Sequence, residues 1–375
     1  MGQTLVPSPA RVIVGPGPGA ETGTRAGRPG AGSARRRCGR YHTVPVSSLR
    51  IGPRPFLLLC RITLATVVLN VITGAAVRLS DSGLGCPDWP TCSKSRLTPA
   101  LSVHPVVEFG NRMVVTLLVV ACAVTAVAAF RRTPRRRDLR LLSLGLIVGV
   151  IGEAVVGAVV VYTKLNAYIV AGHFLLGMAL LGVAVVLTLR ANHGPGRGTP
   201  VVGRNALRLC RLLIGLLVLV LAAGATTTGA GPHAGGKGAK RIPIGLEDMT
   251  RIHAELVIAT VVVLLALLWV LWRSNAPAHV QDDGRILLGA MVVQGIIGYT
   301  QFFTHLPAVL VGLHVLGASL VWSTALWFHH GLSDHRPEAG PGDGPGPGPA
   351  EDAVAPPSEV GDPTGPGPGS VVEPV

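Results

Sequence analysis

Two histidines in the C-terminal half of this sequence have the type and spacing to bind a metal. His253 lies at the start of one apolar segment, and His314 lies inside another. If both segments cross a membrane as helices, the two imidazoles can meet at similar depth with a planar group between them. Histidines on facing helices are common ligands of a haem iron whose two axial positions are filled. We therefore predict a haem site at His253 and His314; the alternative is one hydrogen-bonded histidine in each helix.

The N-terminal half offers a different set of polar residues. His173 lies at the place that matches His314, whereas Asn111 stands where the C-terminal half has His253. Asparagine is a poor iron ligand, so an iron bound by His173 would be five-coordinate or would take a water. Glu108 precedes Asn111 by three residues, a spacing that puts both on one helix face. Its carboxylate could take a proton or stabilise a developing cation, or it could simply cap the helix.

Four arginines lie near the same helix ends, where they could pair with haem propionates or anchor the helices at the membrane surface. They are Arg78, Arg112, Arg241 and Arg251. Glycine-rich stretches lie nearby, SDSGLG at 80–85 and GAGPHAGG at 229–236. Because glycine has no side chain, we expect these stretches to let the backbone approach a flat ligand closely.

Two cysteines flank a short turn in the segment GLGCPDWPTC. Cys86 and Cys92 lie between the first two apolar segments, in a loop that we expect to face an oxidising compartment. They could form a disulfide that holds the chain leading to Glu108, or they could react transiently, since short strained loops make reducible bonds. A metal site is disfavoured because no second Cys/His pair lies nearby at ligand spacing.

The composition predicts the helices that must position these residues. The chain has 375 residues, of which 49% are hydrophobic and 14% charged, whereas soluble proteins carry about 25% charged residues. The fold class predicted is an all-α polytopic membrane protein, since each apolar segment is near the ~20 residues that cross a bilayer. The eight predicted helices are 56–77, 112–130, 141–162, 167–189, 209–228, 251–272, 285–303 and 308–328.

Positive charge predicts the orientation of these helices. Lys and Arg gather in alternate connections, such as RRTPRRRDLR between the second and third segments. Such loops stay in the cytoplasm, so we predict a multi-pass protein of the cell membrane with both termini cytoplasmic. The net charge of +14 is then topogenic, and we expect no nucleic-acid partner.

The sequence also contains an internal repeat. Residues 153–175 align without gaps with residues 294–316, and the match predicts two four-helix bundles related by an axis along the membrane normal. It pairs Gly157 with Gly298, Thr163 with Thr304, Leu165 with Leu306 and His173 with His314. The predicted domains are a disordered extension at 1–53, bundles at 54–190 and 209–330, a cytoplasmic linker at 191–208 and a disordered Pro/Gly-rich tail at 331–375.

Taken together, several segments resemble one family. TGAAVRLSDSGLGCPDWPTC, VEFGNR, TGAGPHAG, RIHAEL and LVGLHVLG resemble haem A synthases of the bacterial type with a cysteine pair, over residues 56–330. The resemblance implies an oxidoreductase that converts the C8 methyl of haem O into the formyl group of haem A by successive hydroxylations. The product serves cytochrome c oxidase.

The resemblance also implies a role for each candidate residue. It implies a haem b cofactor on His253 and His314, the substrate haem on His173 beside Asn111, Glu108 as catalytic acid, and a disulfide between Cys86 and Cys92. The N-terminal bundle would then bind the substrate haem and the C-terminal bundle the haem b. Many relatives have histidine where Asn111 stands, so the sixth ligand of the substrate iron is left open.

The partners expected are haem O, haem O synthase, the cytochrome c oxidase assembly machinery, a quinone or other electron acceptor, and a second copy of the chain. Two other classes of protein are considered. A b-type cytochrome exchanging electrons with quinol would want two fully ligated haems, which Asn111 disfavours. A two-repeat transporter usually breaks its helices near the midplane, whereas the polar residues here gather at the outer ends.

Overall fold

The computed structural model describes residues 50–86, 92, 99, 101–196, 198–233 and 240–335. These residues belong to one compact unit. Their helices are α1 Pro53–Leu79, α2 Val103–Arg131, α3 Arg137–Tyr162, α4 Ala167–Ala191, α5 Arg204–Ala230, α6 Leu246–Arg273, α7 Ala278–Phe303 and α8 Ala308–Gly331. All eight are long and apolar enough to cross a membrane. The predicted fold class is confirmed: the chain is an all-α, multi-pass membrane protein.

Several helices begin earlier than the apolar pattern predicts. Helix α2 begins at Val103 rather than 112, α6 at Leu246 rather than 251, and α7 at Ala278 rather than 285. The added turns carry polar residues, such as HPVVEFGN in α2 and EDMTR in α6. Such turns lower the hydropathy without breaking the helix, so a search for apolar runs misses them. The extra length matters because it places Glu108 and Asn111 inside α2.

The helices form two bundles of four. In the first bundle α1 packs against α2 and α4, and α3 packs against α2 and α4; in the second, α5 to α8 follow the same chain order around the bundle. Between the bundles, α4 meets α5 and α8, and α1 meets α8. The predicted pseudo-repeat of two four-helix bundles therefore holds.

The repeat extends to the backbone of two turns. Lys164 and Leu165, after α3, have φ of 52° and 62°, and His305 and Leu306, after α7, have φ of 62° and 61°. Positive φ is uncommon for residues other than glycine, so its presence at matching positions of both halves supports the internal repeat. The sequences TKL and THL therefore build the same tight turn.

Short connections fix the direction of the helices. The segments 163–166, 274–277 and 304–307 each join two helices, and four residues reach at most about 14 Å. Each helix is more than about 35 Å long, so neighbours joined in this way run antiparallel. We call the end at which α2, α4, α6 and α8 begin the Cys-loop end, and the opposite end the arginine end.

The arginine end is held by backbone and arginine contacts. Arg136 donates to both carboxylate oxygens of Asp138, at 3.0 and 2.7 Å, and to the carbonyl oxygens of Arg190 and His193. Two short strands, β1 (Thr199–Pro200) and β2 (Ser333–Asp334), pair antiparallel beside it. The start of α3 is thereby tied to the end of α4, and the segment before α5 to the segment after α8. Which end faces the cytoplasm stays a prediction from charge.

The two bundles touch through a buried indole. Trp322 of α8 donates its Nε1–H to the carbonyl oxygen of Met178 in α4, at 3.1 Å. Gly182, one turn further along α4, has no side chain, and a Cβ there would lie 3.2 Å from the indole nitrogen. The glycine therefore lets the ring pack directly on α4.

Replacing this indole should weaken the contact between the bundles. Trp322→Phe removes the hydrogen bond and keeps most of the ring volume; interhelical hydrogen bonds in membranes average about 0.6 kcal/mol and reach about 1.7 kcal/mol. We expect a loss of that size in the free energy of unfolding in mixed micelles. Trp327→Phe is the matched control, because Trp327 is 42% exposed; an equal loss there would contradict the assignment.

Candidate functional site

Three histidines lie at matching depth near the Cys-loop end. His173, His253 and His314 lie about two turns inside α4, α6 and α8. His253 is deeper than its apolar segment predicts, because α6 begins at Leu246. All three side chains are partly buried. The early start of α6 is what brings His253 level with His314.

His253 and His314 face each other across the second bundle. Their ring centres are 6.3 Å apart and the ring planes are inclined by 69°. A metal–nitrogen bond is about 2 Å long, so two imidazoles on opposite sides of one ion have ring centres about 6 Å apart. The spacing thus fits one iron between the two rings. Within the described residues no group of three or more His, Cys, Asp or Glu side chains could hold a metal ion, so a porphyrin would have to supply the other ligands.

A neighbouring helix orients the His253 ring, and glycines make room for both rings. His253 lies with Nδ1 3.1 Å from the carbonyl oxygen of Val220; a carbonyl only accepts, so Nδ1 carries the proton and Nε2 is free to bind a metal. Each ring edge rests on a glycine. A Cβ would lie 3.0 Å from His253 Cε1 at Gly224, and 3.1 Å from His314 Cε1 at Gly298. Glycine at these positions makes room for the imidazoles.

The first bundle contains one histidine and one carboxylate at the equivalent place. His173 lies against Gly157 of α3, where a Cβ would be 3.6 Å from its Cε1. Its Nδ1 is 3.4 Å from Oε2 of Glu153, also on α3, and Glu153 is buried. Sequence reasoning missed Glu153, although the repeat alignment pairs it with Gln294 at its first position.

Asn111 is bound by the helix next to it. Thr73 of α1 donates its hydroxyl to Oδ1 of Asn111 at 2.7 Å. The amide oxygen therefore has a partner within the first bundle. Asn111 lies in α2, the counterpart of α6, so the structure keeps the predicted correspondence of Asn111 with His253 at the level of helices.

Glu108 lies in a polar cluster at the start of α2. Its side chain is buried, with 5% exposure. Oε1 accepts from Arg112 at 2.5 Å, and Oε2 accepts from the backbone N–H of Cys86 at 2.8 Å. These partners differ from the N-terminal amides that a helix-capping acid would bind. Glu108 therefore ties α2 to the segment that follows α1.

The predicted cysteine pair is a disulfide. Cys86 and Cys92 are bonded, with their Cα atoms 4.4 Å apart. Gly85, beside it, packs on the backbone of α2, where a Cβ would lie 2.6 Å from the carbonyl of His104. This glycine therefore serves a contact within the protein, whereas we expected the stretch to approach a ligand. Residues 87–91 and 234–239, the rest of the expected glycine and cysteine loops, lie outside the described residues.

The four candidate arginines divide into three kinds. Arg78 donates Nε–H to the carbonyl of His233 at 2.7 Å, and its Nη2 is buried with no hydrogen-bond partner among the described residues. Arg112 pairs with Glu108, as above. Arg241 and Arg251 are exposed. Arg78 is thus the one of the four with a buried donor group still to be satisfied.

A separate histidine cluster lies at the arginine end. The rings of His330 and His335 stack 3.8 Å apart, and His193 Nδ1 is 3.3 Å from His330 Nε2. Partial burial lowers the pKa of His335. The three rings border a cavity of about 310 Å³. His330 lies about 24 Å beyond His314 along α8, so this cluster takes no part in the candidate site.

A side chain at Gly298 should disturb the paired imidazoles. In Gly298→Val the added atoms meet His314 Cε1, so we expect the ring to move and the predicted haem binding to weaken about tenfold, the lower range for changes behind a metal ligand. Haem content per protein, from the reduced-minus-oxidised spectrum, checks this. Gly289→Val on the same helix is the control, because a Cβ there meets nothing within 4 Å; equal haem loss in both would contradict the geometry.

The sequence is similar to one family model and to several known proteins. The family model COX15-CtaA, described as "Cytochrome oxidase assembly protein", matches residues 58–104 and 101–235. A "Heme A synthase" of Geobacillus thermodenitrificans is 36% identical over 140 residues, 36% of this chain and 43% of that protein. A "Heme A synthase" of Shewanella oneidensis is 26% identical over 329 residues, 73% of this chain and 96% of that protein.

The chain therefore spans about two fifths of the length of the Geobacillus relative. The alignment that spans nearly the whole length of a relative has a lower identity. A third relative of the same name, from Symbiobacterium thermophilum, is 27% identical over 270 residues, 86% of its length. The family model spans the segments that carry the cysteine pair and Glu108. The chain is thus similar to the COX15-CtaA family model over residues 58–235 and to several haem A synthases, and its Cys86–Cys92 disulfide lies within the matched region.

Proposed function

We propose that this protein is a haem A synthase. It oxidises the C8 methyl of haem O, through successive hydroxylations, to the formyl group of haem A for cytochrome c oxidase. The observation that carries the proposal is the asymmetry of the two bundles: one has two facing imidazoles 6.3 Å apart, the other a single histidine and a buried acid. A resident haem suits the first arrangement and a substrate haem the second.

The C-terminal bundle fits a haem b. His253 and His314 would hold the iron, since His253 Nε2 is left free and His314 Nδ1 is buried without a hydrogen-bond partner in the described part of the chain. A bis-histidine haem supplies one-electron transfer. Gly224 and Gly298 leave room for both rings.

The N-terminal bundle is the proposed substrate site. His173 would ligate the iron of haem O from α4, and Asn111 would face the opposite side without binding strongly. Glu108 would hold or release a proton at the edge of the substrate. Arg112 and the backbone amide of Cys86 both donate to the carboxylate of Glu108, so the disulfide segment helps to orient Glu108.

Arginines would bind the haem propionates. Arg78 is the leading candidate, because its Nη2 is buried and unpaired among described residues, and a guanidinium binds carboxylates well. It contacts His233 of the other bundle, so it lies where both haems could be reached. Arg112, Arg241 and Arg251 would contribute from the rim.

The charge pattern and the proposed reaction suggest the orientation of the protein in the membrane and its partners. The arginine end and both termini would be cytoplasmic, and the Cys-loop end would face the oxidising side of the cell membrane. Haem O synthase would supply the substrate, the oxidase assembly machinery would take the product, and a quinone or another acceptor would remove electrons. A homo-oligomer is also proposed.

The alternative is a b-type cytochrome that exchanges electrons with quinol. The paired histidines suit it, but the single histidine of the first bundle does not, and the relatives described above give it no support. Haem extracts separate the two functions: deleting the gene should abolish haem A and leave haem O to accumulate. Unchanged haem A after deletion would leave only the electron-transfer role.

The purified protein should show a low-spin b-type spectrum on reduction. His253→Ala or His314→Ala should remove it, because the iron loses an axial ligand. His329→Ala is the control, since that histidine is exposed at the arginine end. A low-spin band that survives both substitutions would contradict the proposed site.

The role of Glu108 is tested separately from haem binding. Glu108→Gln keeps the size of the side chain but cannot take up a proton, so we expect the b-type spectrum to remain and haem A formation to fall about 10²–10⁴-fold. Glu255→Gln, at an exposed position of α6, should have no effect. Normal haem A formation by Glu108→Gln would defeat this role.

A further inference from the structure

A buried carboxylate lies behind the single histidine of the first bundle. Glu153 is 6% exposed, inside a membrane-spanning helix, and its Oε2 is 3.4 Å from Nδ1 of His173. Among the described residues neither Glu153 Oε1 nor His173 Nδ1 has a hydrogen-bond partner of normal length. Unsatisfied polar groups in such a place are costly, so the approach of these two groups needs an explanation.

The second bundle treats the same position differently. The repeat pairs Glu153 with Gln294 and His173 with His314. Gln294 is bound to the backbone: its Nε2 donates to the carbonyl oxygen of His314 at 2.8 Å. The bundle with two facing histidines thus has a neutral glutamine, Gln294, bound to backbone. The bundle with one histidine has an acid, Glu153, close to the imidazole ring.

We propose that Glu153 is a positioning residue for the substrate haem: it accepts the Nδ1–H of His173 and so presents Nε2 to the iron. The proposal rests on the proposed function. A carboxylate behind a ligating histidine fixes the tautomer and the ring orientation, and it makes the imidazole a stronger donor. The distance of 3.4 Å is slightly long for a hydrogen bond, and a loaded site would close it.

The need for such a partner follows from Asn111. In the second bundle two imidazoles share the axial positions of one iron, so each can be an ordinary ligand. In the first bundle Asn111 replaces the second imidazole and its oxygen is taken by Thr73. His173 is then the single protein nitrogen on the iron, and the carboxylate of Glu153 strengthens that bond while the far side stays open to a small molecule.

The experiment is the substitution Glu153→Gln, which gives the first bundle the residue of the second. Purified full-length protein is reduced and exposed to carbon monoxide, which binds only an iron with an open axial position, and so reports the first bundle alone. Titration with haemin should show about 10–100-fold weaker binding, the range for partners behind a metal ligand. The iron–histidine stretching band in resonance Raman spectra should move to lower frequency.

A packing role predicts otherwise, because glutamine fills the same volume and can still accept a hydrogen bond. Affinity and stretching frequency equal to wild type in Glu153→Gln would overturn the inference. The low-spin band of the His253–His314 site in the same sample shows that the variant is folded. If Glu153→Gln does not fold, Glu153→Asp, which keeps the charge and lengthens the contact, should show a smaller shift in the same direction, and no shift would again overturn the inference.

Failure of the proposed function looks different. In that case the wild type gives no carbon monoxide band, and His173→Ala changes nothing. If instead the wild-type band is present and His173→Ala removes it, the substrate site stands, and the Glu153→Gln result judges the positioning role alone.

Discussion

The structure depends on the high cost of burying a polar side chain in a membrane-spanning helix. Three such groups near the Cys-loop end are placed by contacts with neighbouring segments of the fold. Val220 binds His253, Thr73 binds Asn111, and Cys86 binds Glu108. Side chains that the bilayer would otherwise expel are thereby held in fixed orientations, which is the condition for a site that binds one ligand in one pose.

Glycine is the second part of this arrangement. Gly224 and Gly298 lie where any side chain would meet an imidazole, and Gly157 lies at the matching position of the first bundle. Membrane helices gain little from hydrophobic burial against one another, so close approach at small residues supplies much of their packing. The same glycines therefore serve helix packing and leave room for the rings.

Under the proposed function the two bundles of one repeat have different roles. Helix order, tight turns and the depth of the histidines are shared. The differences lie in two side chains: Asn111 occupies the position equivalent to His253, and Glu153 the position equivalent to Gln294. An electron-carrying haem needs both axial positions closed, whereas a haem that reacts needs access. The first bundle has Asn111 in place of a histidine and Glu153 in place of a glutamine. These two differences change the site while the arrangement of the helices stays the same.

The sequence by itself determined the features that depend on composition and local pattern. These are the eight membrane helices, the four-helix repeat, the histidines and the cysteine pair, because hydropathy, spacing and residue type report them directly. It placed the starts of α2 and α6 too late, since polar turns at helix ends carry no apolar signal.

Only the tertiary structure decided which groups meet. Three contacts each join distant segments of the fold: the 6.3 Å between the rings of His253 and His314, the amide of Cys86 on Glu108, and the carboxylate of Glu153 behind His173. Spacing along the chain says on which face a residue lies, but the distance between two faces is set by helix packing. That packing depends here on glycines and buried polar contacts far apart in the sequence.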